Sequence, residues 1–108
     1  MTIQRYDDAK AIPSHNGTIH AYGVFENPAF PVPFEHAWGY LPGPGALESH
    51  AHPTTEVYVI LQGEGLMTVG SDTQPVQAGD FVEIPANEAH HLVNEQEAPL
   101  LWAALWWK

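Results

Sequence analysis

Residues 45–63 read G-A-L-E-S-H-A-H-P-T-T-E-V-Y-V-I-L-Q-G. His50 and His52 stand two positions apart, so on a β-strand both imidazoles point to the same face. Glu56 follows the second histidine by four residues, where a carboxylate can join the two rings after a short bend. Three donor groups converging from one hairpin-sized segment indicate a metal site.

The chain around this segment has the pattern of many short strands. Residues 57–61 form a β-branched apolar run typical of a buried strand, and residues 62–65 predict a hairpin turn. We predict further strands near 18–24, 34–41, 66–69, 75–77, 81–84, 89–93 and 100–107. For the last of these, periodicity alone leaves one or two helical turns open. About eight to ten closely spaced strands predict an all-β barrel or jelly roll.

Residues 1–33 are expected to contain N-terminal strands and a proline-rich connector. Asn16-Gly17 is a turn signal between two short strands. Three prolines within residues 28–33 forbid regular strand pairing and predict an extended connector. Its apolar side chains can still pack on the core, so we expect residues 1–108 to form a single domain.

Composition excludes several classes of function. The 108 residues carry 13 acidic and three basic side chains, for a net charge of −10. Such a chain has no basic surface for nucleic acid and none for an anionic membrane. The absence of cysteine excludes disulfides, thiolate ligands and cysteine nucleophiles. The N-terminal residues lack the apolar core of a signal peptide, so a cytoplasmic location is expected.

A second candidate motif follows the His-x-His segment. It consists of Gly79, Pro85, Asn87, His90 and Asn94. Together the two groups resemble the paired motifs of the cupin family. In that family, glycine, His-x-His, glutamate and glycine are followed by glycine, proline-x-glycine, histidine and asparagine. The first motif corresponds to residues 43–63 and the second to residues 79–94, and together they span about half of the chain.

The match departs from the family pattern at two places. The opening glycine, Gly43 or Gly45, lies one residue from its usual position in either case. Asn87 stands where the family has glycine. Asparagine is the non-glycine residue that best tolerates a left-handed backbone, so this second change is mild.

The resemblance implies a double-stranded β-helix, the cupin jelly-roll barrel, holding one divalent metal ion inside. The implied ligands are His50, His52, Glu56 and His90. Three imidazoles and one carboxylate suit borderline or hard first-row ions. Fe²⁺ and Mn²⁺ are expected first, and Zn²⁺, Ni²⁺ or Co²⁺ remain open because the ligand types do not choose between them. On an octahedral ion, four protein ligands leave two positions for water, oxygen or substrate.

Each of these residues also has a simpler interpretation. Paired histidines on a strand can be a surface patch that binds metal only adventitiously, and a glutamate that opens a strand often faces solvent. His91 adjoins His90 and should therefore face the other side of its strand. His15 and His20 have no evident partners in the sequence, and we expect them to be ordinary surface histidines.

Other side chains are candidates for the surroundings of the metal. Glu48 lies two residues before His50 and, on an unbroken strand, points into the same cavity. We predict it to be a catalytic acid or base; its alternative role is a hydrogen-bond acceptor that orients a histidine. His36, Trp38 and Tyr40 share one strand face, which either lines a substrate pocket or fills the core.

The C-terminal segment predicts a homodimer. Residues 100–107 hold three of the four tryptophans and are apolar on both faces. One face can pack into the barrel, whereas the other needs a cover. A second copy of the chain is the simplest cover.

The resemblance implies three classes of function. The first is a dioxygenase-like, metal-dependent enzyme acting on a small oxygen-bearing substrate such as a diketone, hydroxy acid or catechol. The second is a non-redox isomerase, epimerase, lyase or cyclase that uses Glu48 as acid or base. The third is a small-ligand-binding protein without turnover. The fold alone does not choose among them, and the resemblance favours the dioxygenase.

Overall fold

Ten β-strands in two antiparallel sheets build the protein, and the computed structural model describes residues 1–108. The strands are β1 (Ile12–Ser14), β2 (Ile19–Tyr22), β3 (Glu35–Leu41), β4 (Gly45–His50), β5 (Thr55–Gln62), β6 (Glu64–Val69), β7 (Asp72–Gln77), β8 (Phe81–Ile84), β9 (His90–Asn94) and β10 (Leu100–Trp107). A 3₁₀ turn, Asp8–Lys10, precedes them. The predicted all-β single domain is confirmed, and residues 100–107 form a strand rather than helical turns.

The strands form a six-stranded sheet in the order β1-β2-β3-β10-β5-β8 and a four-stranded sheet in the order β4-β9-β6-β7. Strands that are distant in sequence pair in both sheets, for example β10 with β3 and β5. The chain therefore winds back and forth between the two sheets as a jelly roll. Residues 26–33 contain no strand, as the prolines predict. No helical segment has the length and apolar character needed to span a membrane.

Trp102 lies in the middle of the core between the sheets and is 1% exposed. Its partner across the ladder to β3 is Gly39. A Cβ atom placed on Gly39 would lie 2.2 Å from the indole ring, so the ring occupies the space that the missing side chain leaves. The large residue on one strand therefore requires the small residue on the next.

Replacing Gly39 with alanine should destabilise the barrel by about 1–3 kcal/mol, because the rigid indole and both backbones would have to move. For a domain of this size, each kcal/mol lowers the melting temperature by roughly 4–8 °C. Thermal unfolding followed by circular dichroism measures the change. An unchanged melting temperature would show that Trp102 can move away without cost.

The outer face of the six-stranded sheet is apolar and only partly covered. Leu101, Ala103 and Leu105 of β10 remain half-buried. Nearby Phe81 and Trp107 are 71% and 41% exposed. The homodimer expected from the sequence stays a prediction, and this face is the surface that it would cover.

We expect light scattering at micromolar concentration to give twice the mass of the chain. Replacing Phe81 with glutamate should then give monomers, because burying an unpaired charge in an interface opposes association. A standard interface covers about 800 Å² on each partner, a small part of the 6468 Å² of surface of this chain. A wild-type protein that is monomeric at this concentration would contradict the prediction.

The N-terminal segment covers the outer face of β3. Tyr6 stacks on Tyr40 with ring centroids 5.2 Å apart. His20, on β2, lies with its Nδ1 atom 2.8 Å from Oδ1 of Asp8. The expectation that His20 has no partner is therefore wrong, because the 3₁₀ turn folds back onto β2.

Candidate metal centre

His50, His52, Glu56 and His90 converge at one end of the barrel interior. Each offers one ligand atom, and the four atoms all lie within 4.8 Å of one another. His50 ends β4 and pairs with His90 at the start of β9, whereas Glu56 lies near the start of β5. Glu56 and His90 are buried, and the other two histidines are half-buried. The closed barrel thus brings the four predicted ligands together.

A β-bulge in β4 turns His50 inward. In the ladder between β4 and β9, Leu47 pairs with Leu92, and the next pair is His50 with His90. Three steps along β4 therefore match two steps along β9, so β4 holds one extra residue. Because of this extra residue, Leu47 and His50 can both face the interior.

The same bulge removes the basis for placing Glu48 in the cavity. The expectation assumed an unbroken strand, in which residues two apart share a face. Glu48 is instead exposed, and its Oε1 atom accepts a hydrogen bond from the side-chain amide of Asn16 at 2.9 Å. Its backbone carbonyl faces the Nδ1 atom of His50. The predicted acid or base role of this carboxylate stays a prediction.

Backbone carbonyls orient all three histidines. In each ring, Nδ1 lies within hydrogen-bond distance of a carbonyl oxygen and can donate its proton there. The acceptors for His50, His52 and His90 are the carbonyls of Glu48, Thr54 and Glu88, at 3.0, 3.2 and 3.0 Å. With the proton on Nδ1, each Nε2 presents a lone pair. This is the tautomer that binds a metal through Nε2.

The inner nitrogen atoms of His52 and His90 both face one oxygen of the Glu56 carboxylate. Nε2 of His90 is buried and has no hydrogen-bond partner, although Oε1 of Glu56 lies 3.3 Å away. Nε2 of His52 lies 2.9 Å from the same carboxylate oxygen. A lone pair and a carboxylate at this distance need a proton or a cation between them, and an unpaired buried group is costly. The four residues therefore fit a divalent metal ion.

The surroundings shift the pKa values of His90 and His50 in opposite directions. Burial alone would lower the pKa of His90, but the Glu56 carboxylate and the Glu88 carbonyl outweigh burial and raise it. Burial lowers the pKa of His50, which lies farther from the carboxylate. A proton thus competes with a metal more strongly at His90 than at His50.

Metal affinity should fall as the pH drops, because protonated imidazole cannot bind a metal. The pKa of His90 lies above the ordinary value of 6.5, so the loss should begin above that pH. Below it, affinity should fall about tenfold per pH unit for each displaced proton. Calorimetric titration with Mn²⁺ at several pH values between about 8 and 5 measures this. Constant affinity over that range would contradict ligation by the histidines.

A cavity of about 450 Å³ opens beside the four residues. Its polar lining includes His50, His52, Glu56 and Thr54, and its apolar lining includes Trp102, Ala104 and Trp106. Trp106 is the ladder partner of Glu56. No lysine or arginine lines it. The chain has three basic residues, Arg5, Lys10 and Lys108, and all are exposed elsewhere.

The predicted pocket residues of β3 have different positions. Trp38 is among the residues that border the cavity, whereas His36 and Tyr40 are not. The ring of Trp38 nevertheless packs edge-on against Tyr6 on the outer face of β3, with centroids 5.9 Å apart. Nδ1 of His36 accepts hydrogen bonds from the backbone N–H groups of Val24 and Phe25, at 3.0 and 3.1 Å. His36 therefore holds the start of the connector against β3 instead of facing the cavity.

Two further residues lie at the site without having been predicted from the sequence, namely His15 and Thr54. The ring centroid of His15 lies 4.4 Å from that of His50, and His15 lines the cavity. Thr54 places its Oγ1 atom 2.8 Å from Nδ1 of His52. No local pattern predicts the position of His15, because β1 and β4 meet only when the barrel closes. His15 is exposed, as expected, but it has a partner, which the sequence did not indicate.

The residues of the second motif have structural roles. Asn87 has a left-handed backbone, with φ of 69°, and its N–H donates to the carbonyl of His52 at 2.8 Å. Buried Asn94 donates through its amide to the carbonyls of Leu41 and Ala98. The turn after β8 thus supports the first motif, and Asn94 is a hydrogen-bonding residue as predicted.

A model of the cupin domain family matches residues 37–108. Among curated proteins, an uncharacterized protein of Methanocaldococcus jannaschii is 40% identical over 52 residues, which are 47% of this chain and 42% of that protein. An uncharacterized protein of Sinorhizobium fredii is 37% identical over 71 residues, which are 65% of this chain and 33% of that protein. The matches thus span less than half of the length of these relatives.

Solved structures share the fold over nearly the whole chain. A cupin 2 conserved barrel domain protein from Salinispora arenicola has a TM-score of 0.86 and 25% identity, covering 100% of this chain and 89% of that one. A predicted oxalate decarboxylase from Thermotoga maritima has a TM-score of 0.77 at 21% identity, covering 97% of both chains. The polyketide cyclase RemF from Streptomyces resistomycificus has a TM-score of 0.75 at 14% identity, covering 97% and 79%.

Proposed function

Since this chain belongs to the cupin domain family, we propose that it is a metal-dependent enzyme of the dioxygenase type acting on a small oxygen-bearing organic substrate. The observation that carries the proposal is the convergence of three imidazoles and one carboxylate beside a cavity. Fe²⁺ or Mn²⁺ is the proposed ion, since this ligand set suits first-row metals. The likeness to distant enzymes supports the fold but not a particular reaction.

In this proposal the protein supplies four ligands and holds them in place. His50, His52 and His90 would bind the ion through Nε2, because each Nδ1 atom faces a backbone carbonyl that can accept its proton. The Glu56 carboxylate would offset one of the two positive charges. A bound divalent ion would polarise a coordinated substrate oxygen and, if redox-active, would support reaction with O₂.

The size and the lining of the cavity restrict the size and charge of the proposed substrate. Its volume of about 450 Å³ suits a small molecule. A dianion such as oxalate would find no lysine or arginine there, and Glu56 already adds a negative charge. Trp102, Ala104 and Trp106 offer an apolar surface in the same cavity. The lining therefore favours a neutral or singly charged molecule with an oxygen donor at one end and an apolar body.

The test is oxygen consumption by protein reconstituted with Fe²⁺, Mn²⁺ or Zn²⁺ and supplied with small diketones, hydroxy acids and catechols. We expect turnover with Fe²⁺ or Mn²⁺ and none with Zn²⁺, and the His52→Ala variant serves as the control. Equal turnover with Zn²⁺ in the absence of O₂ would replace this proposal with a non-redox isomerase or lyase. Thermal shifts without turnover would favour a ligand-binding protein.

A further inference from the structure

The tip of the β1–β2 hairpin, residues 14–18, lies at the mouth of the metal cavity. Ser14 and His15 both line the cavity. The ring of His15 lies against that of His50, with centroids 4.4 Å apart and planes at 40°. His15 is not among the four clustered ligand residues. It therefore forms a wall beside the ligands rather than a fifth ligand.

The backbone of the hairpin tip is held in an uncommon conformation. His15 and Asn16 have φ values of 50° and 58°, the left-handed region that residues with a side chain seldom adopt. Thr18 donates a hydrogen bond from its hydroxyl to the carbonyl of His15 at 2.7 Å. The N–H of Gly17 donates to the carbonyl of Ser14 at 3.1 Å. Left-handed residues are typical of hairpin turns, and this turn places the imidazole of His15 against His50.

A hydrogen bond joins the hairpin tip to the opposite sheet. The amide of Asn16 donates to Oε1 of Glu48 at 2.9 Å. β1 and β2 lie at one edge of the six-stranded sheet, and β4 lies at an edge of the four-stranded sheet. This contact therefore spans the gap between the sheets at the side where His15 meets His50.

We infer that the hairpin tip determines which molecules reach the metal, with His15 as the specificity-determining residue and with Asn16 and Glu48 as positioning residues that hold it. The inference rests on metal binding by the four ligands, which is part of the proposed function. The molecules admitted would be small, with an oxygen donor, and without bulk on the side of the His15 ring. Glu48 would act as a hydrogen-bond acceptor, a role that does not need its charge.

The first experiment measures ligand size selectivity in protein loaded with Co²⁺. Visible absorption of the bound ion reports the binding of acetate and of the much bulkier diphenylacetate. The preference of wild type for acetate should fall by at least about tenfold in His15→Ala, since removal of the ring opens the cavity on that side. The matched control is His20→Ala, on the same hairpin, whose ring bonds to Asp8 and stacks on Tyr40. That variant should keep the wild-type preference.

The second experiment tests the hydrogen bond from Asn16. Glu48→Ala should lose the preference for acetate as His15→Ala does, whereas Glu48→Gln should retain it, because a glutamine carbonyl can still accept from the Asn16 amide. Equal loss in the alanine and glutamine variants would show that the carboxylate charge is required and would overturn the positioning role.

The cobalt content of wild type and variants distinguishes a failure of the proposed function from a failure of the inference about the hairpin tip. If wild type binds no Co²⁺, both the proposed function and this inference fail. If all variants bind Co²⁺ equally but show the same preference as wild type, the inference fails while the metal site stands. Wild-type cobalt content with changed selectivity in His15→Ala and Glu48→Ala is the result that the inference predicts.

Discussion

Replacing His52 with alanine is expected to remove most of the bound metal and to leave a folded barrel. The variant lacks one of four ligands and should bind Mn²⁺ at least about 100-fold more weakly, beyond the 10–100-fold typical when only a supporting hydrogen bond is lost. The side chain of His52 is 28% exposed, so water can fill the space left by the ring. Elemental analysis and calorimetric titration measure the loss, and circular dichroism checks the fold.

The matched control for this variant is His91→Ala. His91 is half-buried and adjoins His90, but the next residue along a strand points to the opposite face. This variant should keep its metal. Wild-type metal content in His52→Ala, or an equal loss in both variants, would show that the ligand assignment is wrong.

Metal loading is expected to raise the melting temperature by roughly 10–20 °C. A ligand present at about 100 times its dissociation constant stabilises the native state by about 2.7 kcal/mol. In a domain of this size, each kcal/mol moves the melting temperature by about 4–8 °C. The physical source is the arrangement of the site, where one oxygen of the Glu56 carboxylate lies 2.9 Å from Nε2 of His52 and 3.3 Å from Nε2 of His90. A divalent ion would interact favourably with all three groups. Thermal unfolding with and without Mn²⁺ measures the shift.

Two controls make this shift specific. A chelator should return the melting temperature of wild type to its metal-free value, and His52→Ala should show little response to Mn²⁺. A shift of the same size in His52→Ala would indicate metal binding elsewhere on the acidic surface. No shift in wild type at saturating Mn²⁺ would contradict coupling between the site and the fold.

The fold was predictable because strands and turns have strong local signals. The bounds of β8 and β10 agree with the sequence prediction, since short apolar runs there end at glycine, proline or polar residues. The turn at Asn16-Gly17 and the left-handed Asn87 were also predictable from residue type. The outer covering of β3 by Tyr6 was not, because it joins the N-terminus to a strand that comes later in the chain.

The site was predictable only where a motif places its residues. The four clustered residues belong to two motifs with fixed spacing, whereas Glu48 depended on strand alternation and the bulge in β4 interrupts that alternation. His15 belongs to neither motif. Its contact with His50 arises from the packing of two sheet edges, which no periodicity in the sequence reveals. The substrate depends on cavity shape and lining, and these too appear only in the folded barrel.

The most direct test of the metal centre is anomalous diffraction from crystals of protein loaded with Zn²⁺. We expect one strong peak per chain, about 2.0–2.2 Å from Nε2 of each of the three histidines and from a carboxylate oxygen of Glu56. The Nδ1 atoms should keep their hydrogen bonds to backbone carbonyls. A peak outside this cluster, or no peak in protein that contains zinc, would contradict the assignment of His50, His52, Glu56 and His90 as the ligands.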